Sequence, residues 1–154
     1  MTDNDFFRNH DIVQIGIIVA DIEKAAQAYA NLFGFEKPDC VTTEPLEQAQ
    51  TSYHGRPTEA RAKLAFFQFN NTTIELIEPI GGPSTWKEFL DARGPGMHHI
   101  AFNVKDTDRQ IALLEGMGAK LVQQGRWTTG SGGRYAYLED VPNVPVVLEL
   151  LESF

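Results

Sequence analysis

The strongest constraint on the fold is an internal duplication. The segment beginning at Val13, VQIGIIVADIEKAAQAYANLFGFE, aligns without a gap on the segment beginning at His98, HHIAFNVKDTDRQIALLEGMGAKL. Gln14 falls on His99, Ile15 on Ile100, Val19 on Val104 and Asp21 on Asp106. A self-similar stretch of this kind marks one supersecondary unit used twice. Each copy opens with about six residues of alternating or continuous apolar character, which is a strand pattern. Each strand then runs into an Asp placed to cap a helix, because its carboxylate accepts bonds from the unpaired N–H groups of the first turn. In the first helix Ile22, Ala25, Ala26, Tyr29, Leu32 and Phe33 recur at helical spacing and Gly34 ends the run. In the second, Ile111, Leu114 and Met117 recur, followed by Gly118.

Both copies also close on a matching strand, TTIELIEP around Glu75 and VVLELLES around Glu149. Between helix and closing strand lie LAFFQF (Leu64 to Phe69) and RYAYLED (Arg134 to Asp140). The unit is therefore strand, helix, then two or three strands, with module 1 over about 11–79 and module 2 over about 97–152. STWKEFLDA, about 84–92, is expected to be a helix bridging the halves, with Trp86, Phe89 and Leu90 as packing residues. Two long connections, Pro38 to Ala60 and Gln123 to Gly133, are expected to be loops, either functional lids or disordered. At 154 residues the two modules make one domain over 1–154.

Charge and composition exclude several classes. The net charge of −8 would repel nucleic acid on average. The single Cys40 has no partner for a disulfide or a thiolate zinc site, which suits a reducing, cytoplasmic setting. The stretch MTDNDFFRNHD has no apolar h-region, and no 18-residue apolar run suggests a membrane span. There is no Gly-x-Ser-x-Gly elbow, and the loop Gly125 to Arg134 is not followed by the helix start that a phosphate cradle needs. Arg126, Arg134 and Lys120 are taken as solvated loop charges by default, open to an acidic substrate.

Side chains alternate along a strand, so Gln14, Gly16 and Ile18 share one face and Ile15, Ile17 and Val19 the other, apolar one. By the same rule His99, Ala101 and Asn103 oppose Ile100, Phe102 and Val104, and His98 points away from His99. Glu75 stands between Ile74 and Leu76, and Glu149 between Leu148 and Leu150. A lone Glu in such a strand is usually an edge residue, and a lone His usually structural. The duplication changes those odds. If the modules pair about a pseudo-twofold axis, Gln14, Glu75, His99 and Glu149 converge in one concave pocket. One amide, one imidazole and two carboxylates suit a single divalent ion, with Zn, Mn, Co, Ni and Fe all compatible. His10 and His54 are expected to be surface residues.

The strings QIGIIV, DIEKAAQAYANLFGFE, IELIEP, STWKEFLDARGPG, GMHHIAFNV and VVLELLE resemble the vicinal oxygen chelate superfamily, and most closely its methylmalonyl-CoA epimerases. The similarity runs from about Val13 to Glu152. It implies an α+β fold of two paired βαβββ modules, a curved, cleft-bearing mixed sheet with helices on its convex side. It also implies that Gln14, Glu75, His99 and Glu149 are the metal ligands. The set Gln, Glu, His, Glu departs from the epimerase pattern, which has His at position 14 and Gln at position 75, and resembles that of glyoxalase I. PTEARAKLAF looks like the epimerase segment that carries a base, and the match falls on Glu59; the ligand Glu149 is the other candidate. The implied function is a metal-dependent isomerase or epimerase acting alpha to a carbonyl, with an acyl-CoA as a possible small-molecule substrate and a homodimer as the assembly. A glyoxalase I-like lyase and a non-catalytic ligand binder of the bleomycin-resistance kind are the alternatives, and an extradiol dioxygenase, which wants two histidines, is disfavoured.

Overall fold

The computed structural model describes residues 10–154, so most of the N-terminal stretch weighed above for a leader lies outside the described residues. The elements follow in the order β1 (Gln14–Ile18), α1 (Ile22–Phe33), β2 (Val41–Thr42), α2 (Leu46–Ala49), β3 (Ser52–Tyr53), β4 (Arg56–Pro57), β5 (Arg61–Gln68) and β6 (Thr73–Ile80). Then come α3 (Thr85–Arg93), β7 (Gly96–Asn103), α4 (Thr107–Gly116), β8 (Lys120–Trp127), β9 (Gly133–Glu139) and β10 (Val147–Ser153). The strands form one curled mixed sheet in the order β2-β5-β6-β1-β7-β10-β9-β8-β3-β4. Its first eight strands are two modules back to back, joined through the antiparallel β1/β7 pair.

The ladder register makes the pseudo-symmetry explicit. Ile15 pairs with Ile100, its own counterpart in the duplication, so the axis passes through that pair. On either side Gln14 faces Ala101 and Gly16 faces His99. Outward from the axis, Gly16 neighbours Glu75 on β6 and Ala101 neighbours Glu149 on β10. Glu75 and Glu149 are thereby equivalent positions.

The two duplicated helices, α1 and α4, start where the sequence places them. Asp21 accepts from Lys24 N and Asp106 from Arg109 N, both at 3.2 Å. A second pair of caps completes the scheme: Glu78 accepts from Ile22 N at 2.9 Å, and Glu152 accepts from Asp106 N at 2.8 Å and from Thr107 N and its hydroxyl. The carboxylates three residues after Glu75 and Glu149 thus tie each closing strand to the N-terminus of its own helix. Gly34 takes the left-handed conformation that ends α1, with φ of 76°. The bridging helix begins at Thr85, capped by Ser84, and runs to Arg93.

Three apolar clusters result. One lies under α1 (Ile22, Ala26, Ala30 with Ala65, Phe67, Leu76), and one under α4 (Ile111, Leu114 with Phe102, Leu138, Leu148, Leu150). The third joins the halves on the inner side, where Ile18, Ala62, Ile77, Trp86, Val122 and Tyr137 meet. Ile18 and Ile17 fall in different clusters, as the period of two requires. Met117, expected on the buried stripe of α4, is instead 47% exposed at the helix C-cap.

The two long connections differ from expectation. Gln123 to Gly133 is mostly strand, because β8 continues through Trp127. Its polar residues are used internally: Gln123 is buried, accepts from Thr85 N at 2.9 Å and donates to the Tyr135 hydroxyl at 3.1 Å. Pro38 to Ala60 contains β2, α2, β3 and β4 and crosses to the other module, where Ser52 and Tyr53 pair with Gln124 and Gln123 of β8. Among the described residues, no helix is long and apolar enough to cross a membrane.

Candidate functional site

The register places Gln14, Gly16, His99 and Ala101 around the axis, flanked by Glu75 and Glu149. Their side chains meet. His99 Nε2 lies 2.8 Å from Glu149 Oε2, 3.8 Å from Glu75 Oε1 and 3.3 Å from Gln14 Oε1. Gln14 Nε2 reaches Glu75 Oε2 at 3.5 Å, a weak bond at best. His99 is fully buried, Glu75 is 7% and Glu149 4% exposed. The four residues predicted to converge do so.

Glycine makes room for the imidazole. A β-carbon on Gly16 would stand 2.5 Å from His99 Nε2 and closer still to Cε1 and Nδ1, so the ring lies directly on the Gly16 backbone. Ala101, equivalent to Gly16 by the duplication, faces Gln14 rather than a ring and carries its methyl.

His98 does not point away from His99. The β1/β7 register slips between Gly16 and Ile17, which pair with His99 and Met97 and leave His98 as the extra residue of a bulge. A bulge breaks the alternation on which the sequence expectation rested. Both rings are buried, perpendicular to one another, with His98 Nδ1 2.9 Å from His99 Nδ1. His98 Nε2 is 3.0 Å from the Thr85 hydroxyl. Burial pushes the His98 pKa down to about 3, with His99 and Arg93 adding to the shift, so this ring is neutral at ordinary pH.

The quartet's oxygens open on a cavity of about 540 Å³ lined by Gln14, Glu75 and Glu149. One wall is aromatic, formed by Trp127, Tyr135 and Tyr137, with Trp86 below; the other carries Val41, Leu64 and Phe66. Trp86 is therefore part of the cleft as well as of the core, and its indole donates to the Tyr137 hydroxyl at 3.1 Å. The ring of Tyr135 covers Gly125 and that of Trp127 covers Gly133. A larger hollow of about 840 Å³ lies on the far side of His98, between α3 and residues 139–147, away from the two carboxylates.

Glu59 is exposed on the segment entering β5 and does not line the cleft. The carboxylate that the connection does deliver is Glu44, between β2 and α2. Its Oε1 accepts from the Thr128 N–H at 3.3 Å and from the Thr128 hydroxyl, across the mouth of the cleft, while its Oε2 is buried without a hydrogen-bond partner among the described residues. Sequence reasoning passed over Glu44 because only the fold reveals that this segment crosses to the other module. Arg126 also lines the cleft, although it is exposed.

The electrostatics favour a cation. Burial raises the Glu75 pKa well above the usual carboxylate range, and the nearby Glu149 raises it further. Two buried carboxylates beside one imidazole are costly unless positive charge compensates them. Glu149 Oε2, although close to His99, accepts no hydrogen bond among the described residues, which leaves a buried lone pair available. An imidazole, an amide oxygen and two carboxylates match the preferences of a borderline divalent ion. Together these features fit one such ion held by Gln14, Glu75, His99 and Glu149.

Comparison with known proteins agrees with the architecture. Residues 13–137 match the model of the Glyoxalase/Bleomycin resistance protein/Dioxygenase superfamily. An uncharacterized protein of Bacillus subtilis, YqjC, is 29% identical over 138 residues, covering 90% of this chain and 89% of its own. The ethylmalonyl-CoA/methylmalonyl-CoA epimerase of Cereibacter sphaeroides is 30% identical over 121 residues, with 78% of this chain and 80% of the relative covered. The crystal structure of methylmalonyl-CoA epimerase from Mycobacterium tuberculosis superposes with a TM-score of 0.63 at 25% identity, covering 94% of this chain and 88% of that one.

Proposed function

The chain belongs to the Glyoxalase/Bleomycin resistance protein/Dioxygenase superfamily, also called the vicinal oxygen chelate superfamily, and from that premise we propose an isomerase or epimerase dependent on a divalent ion. It moves a proton at the carbon alpha to a thioester or ketone carbonyl, with acyl-CoA thioesters as the substrate class. The observation that carries this reading is the convergence of Gln14, Glu75 and Glu149 on the wall of one cavity, with the buried His99 in contact with them behind it. When bound, the ion supplies positive charge for the oxygen that gains negative charge as the alpha proton leaves. The chain's own residues do the rest. Glu149 and Glu44 are the cleft carboxylates available to take and return the proton; Glu59 is not placed to do so. The aromatic wall and Trp86 exclude water from the reacting carbon.

The name of the Cereibacter relative directs the first assay to methylmalonyl-CoA and ethylmalonyl-CoA. Incubation of the ion-loaded protein with each in deuterium oxide should place deuterium at the alpha carbon, and absence of exchange with any acyl-CoA while the ion is bound would overturn the proposal. The donor set favours one second reading, a glyoxalase I-like lyase, which turnover of a thiol hemithioacetal without acyl-CoA exchange would establish. A protein that refuses every divalent ion would instead be a binder of the bleomycin-resistance kind.

A further inference from the structure

We infer that His98 is a positioning residue for the ion site, a buried relay that sets which nitrogen of His99 is free to face Gln14 and the two glutamates. The inference rests on the ion binding proposed above and deepens it.

Its basis is the bulge at His98. Because His98 is the extra residue opposite Gly16 and Ile17, its ring lies on the same side of β7 as that of His99, and the two Nδ1 atoms face at 2.9 Å. Two imidazole nitrogens at that distance share one proton: bare lone pairs would repel, and two N–H groups would clash. The far nitrogen of His98, Nε2, meets the Thr85 hydroxyl at 3.0 Å. Thr85 is itself fixed, since it is the first residue of α3 and its backbone N–H is bonded to buried Gln123. Phe89 and Tyr137 hold the His98 ring edge-on, with centroids at 5.5 and 5.4 Å. The ring cannot turn to break the chain of contacts without displacing both.

With one proton on each ring, the chain Thr85–His98–His99 has two proton arrangements. In one, His98 Nδ1–H donates to His99 Nδ1, and His99 Nε2–H points toward Gln14 Oε1 at 3.3 Å. In the other, His99 Nδ1–H donates to His98 Nδ1, His98 Nε2–H donates to the Thr85 hydroxyl, and His99 Nε2 presents a lone pair to the quartet. Only the second can hold an ion through His99. Both arrangements carry one proton per ring, so passing from one to the other changes neither ring's charge. His98 does for His99 what a carboxylate or carbonyl does behind other ligating histidines: it accepts the hydrogen bond from His99 Nδ1–H, which keeps the proton off the far nitrogen, and it fixes the plane of the ring.

The test uses protein labelled with ¹⁵N-histidine and titrated with Zn²⁺ alone. In the Zn²⁺-loaded protein the His98 proton should stand on Nε2, with Nδ1 bare, in long-range ¹H–¹⁵N spectra. His98→Phe, which keeps a ring against Phe89 and Tyr137 but has no nitrogen, should weaken Zn²⁺ binding about 10- to 100-fold by chelator competition. Thr85→Val, which keeps the size of the side chain and removes the terminal hydroxyl, should weaken it in the same direction and serves if His98→Phe does not fold. If wild-type protein binds Zn²⁺ with the His98 proton on Nδ1, or if His98→Phe or Thr85→Val binds as tightly as wild type, the relay is wrong while the ion site stands. If wild type binds no Zn²⁺, the site reading fails and takes the relay with it.

Discussion

Replacing Gly16 by Ala tests the geometry of the site most directly. In a strand this change ordinarily stabilises by about 0.5–1 kcal/mol, since it removes the excess freedom of glycine in the unfolded chain. Gly16 has no positive φ that would oppose it. Space decides against the substitution instead. The new β-carbon would be 2.5 Å from His99 Nε2 and 1.9 Å from the adjoining Cε1, where ordinary contact begins at 3.4 Å, so the ring must retreat by about 1 Å or more along that edge. Retreat is blocked by Tyr137, whose ring centroid is 5.0 Å away, and by His98 at 2.9 Å. Overpacking of this kind costs about 1–3 kcal/mol, which in a domain of this size lowers Tm by about 2–12 °C. A displacement of about 1 Å at a reacting centre also lowers turnover about 100-fold. Thermal melts of the ion-free protein read the first effect, and Zn²⁺ titration with deuterium exchange the second. The double change Gly16→Ala with His99→Ala removes the ring and should recover the stability lost to the overlap, giving a coupling energy of the opposite sign. If Gly16→Ala melts at or above the wild-type temperature and binds Zn²⁺ undiminished, the close seating of His99 on Gly16 is wrong.

The remaining predictions concern the caps and the base. Glu78→Ala and Glu152→Ala should each destabilise by about 1 kcal/mol, because each removes the acceptor at a helix N-terminus, and in chemical denaturation their effects should add, since the caps belong to different modules. The bonds from Thr107 and the Asp106 backbone hold the Glu152 carboxyl below the ordinary carboxylate value of 4.5. Its contribution is therefore present above 4.5 and disappears as pH falls through the lower folded value, so Glu152→Ala should flatten part of the acid limb of a stability profile. Glu44→Gln should reduce alpha-proton exchange by at least 100-fold with the ion still bound, while Glu59→Gln should leave it within about twofold; the reverse order would return the base to Glu59.

How much of this was legible in the sequence follows from what repeats. The duplication showed which positions are equivalent, and equivalence with a period of two was enough to bring Gln14, Glu75, His99 and Glu149 together. The caps Asp21 and Asp106 and the stop at Gly34 were local and therefore visible. Three features were not. The bulge that turns His98 inward depends on how β7 registers against β1, and the string MHHIAF reads the same with or without it. Glu44 enters the cleft only because β3 pairs with β8 of the other module, a long-range contact with no local signature. The strand through Gln123 to Trp127 resembled a loop because its polar side chains are satisfied by α3 and β9, partners that the segment itself does not reveal.

The pseudo-symmetry also shows where the site of this chain becomes asymmetric. At a twofold axis equivalent side chains approach one another, and here one ring occupies the space between them. Gln14 and His99 occupy equivalent positions, each facing the other's neighbour across the β1/β7 ladder. His99 lies over Gly16, while Gln14 is matched with Ala101, so the small residue is smallest where the large one must fit. The same division runs outward: Phe66 stands beside Glu75 where Tyr137 stands beside Glu149, and only the tyrosine is tied into the hydrogen bonds and ring contacts around the histidines. Duplication therefore supplies two carboxylates by repetition, and divergence at the axis supplies a single imidazole with its relay on one side. A second imidazole at position 14 would need its own clearance at Ala101. Gln14→His alone should therefore disturb packing at the axis, and Gln14→His combined with Ala101→Gly should recover it. Thermal melts of the pair decide the matter, and equal stability of the single and double variants would show that position 101 does not limit what position 14 can carry.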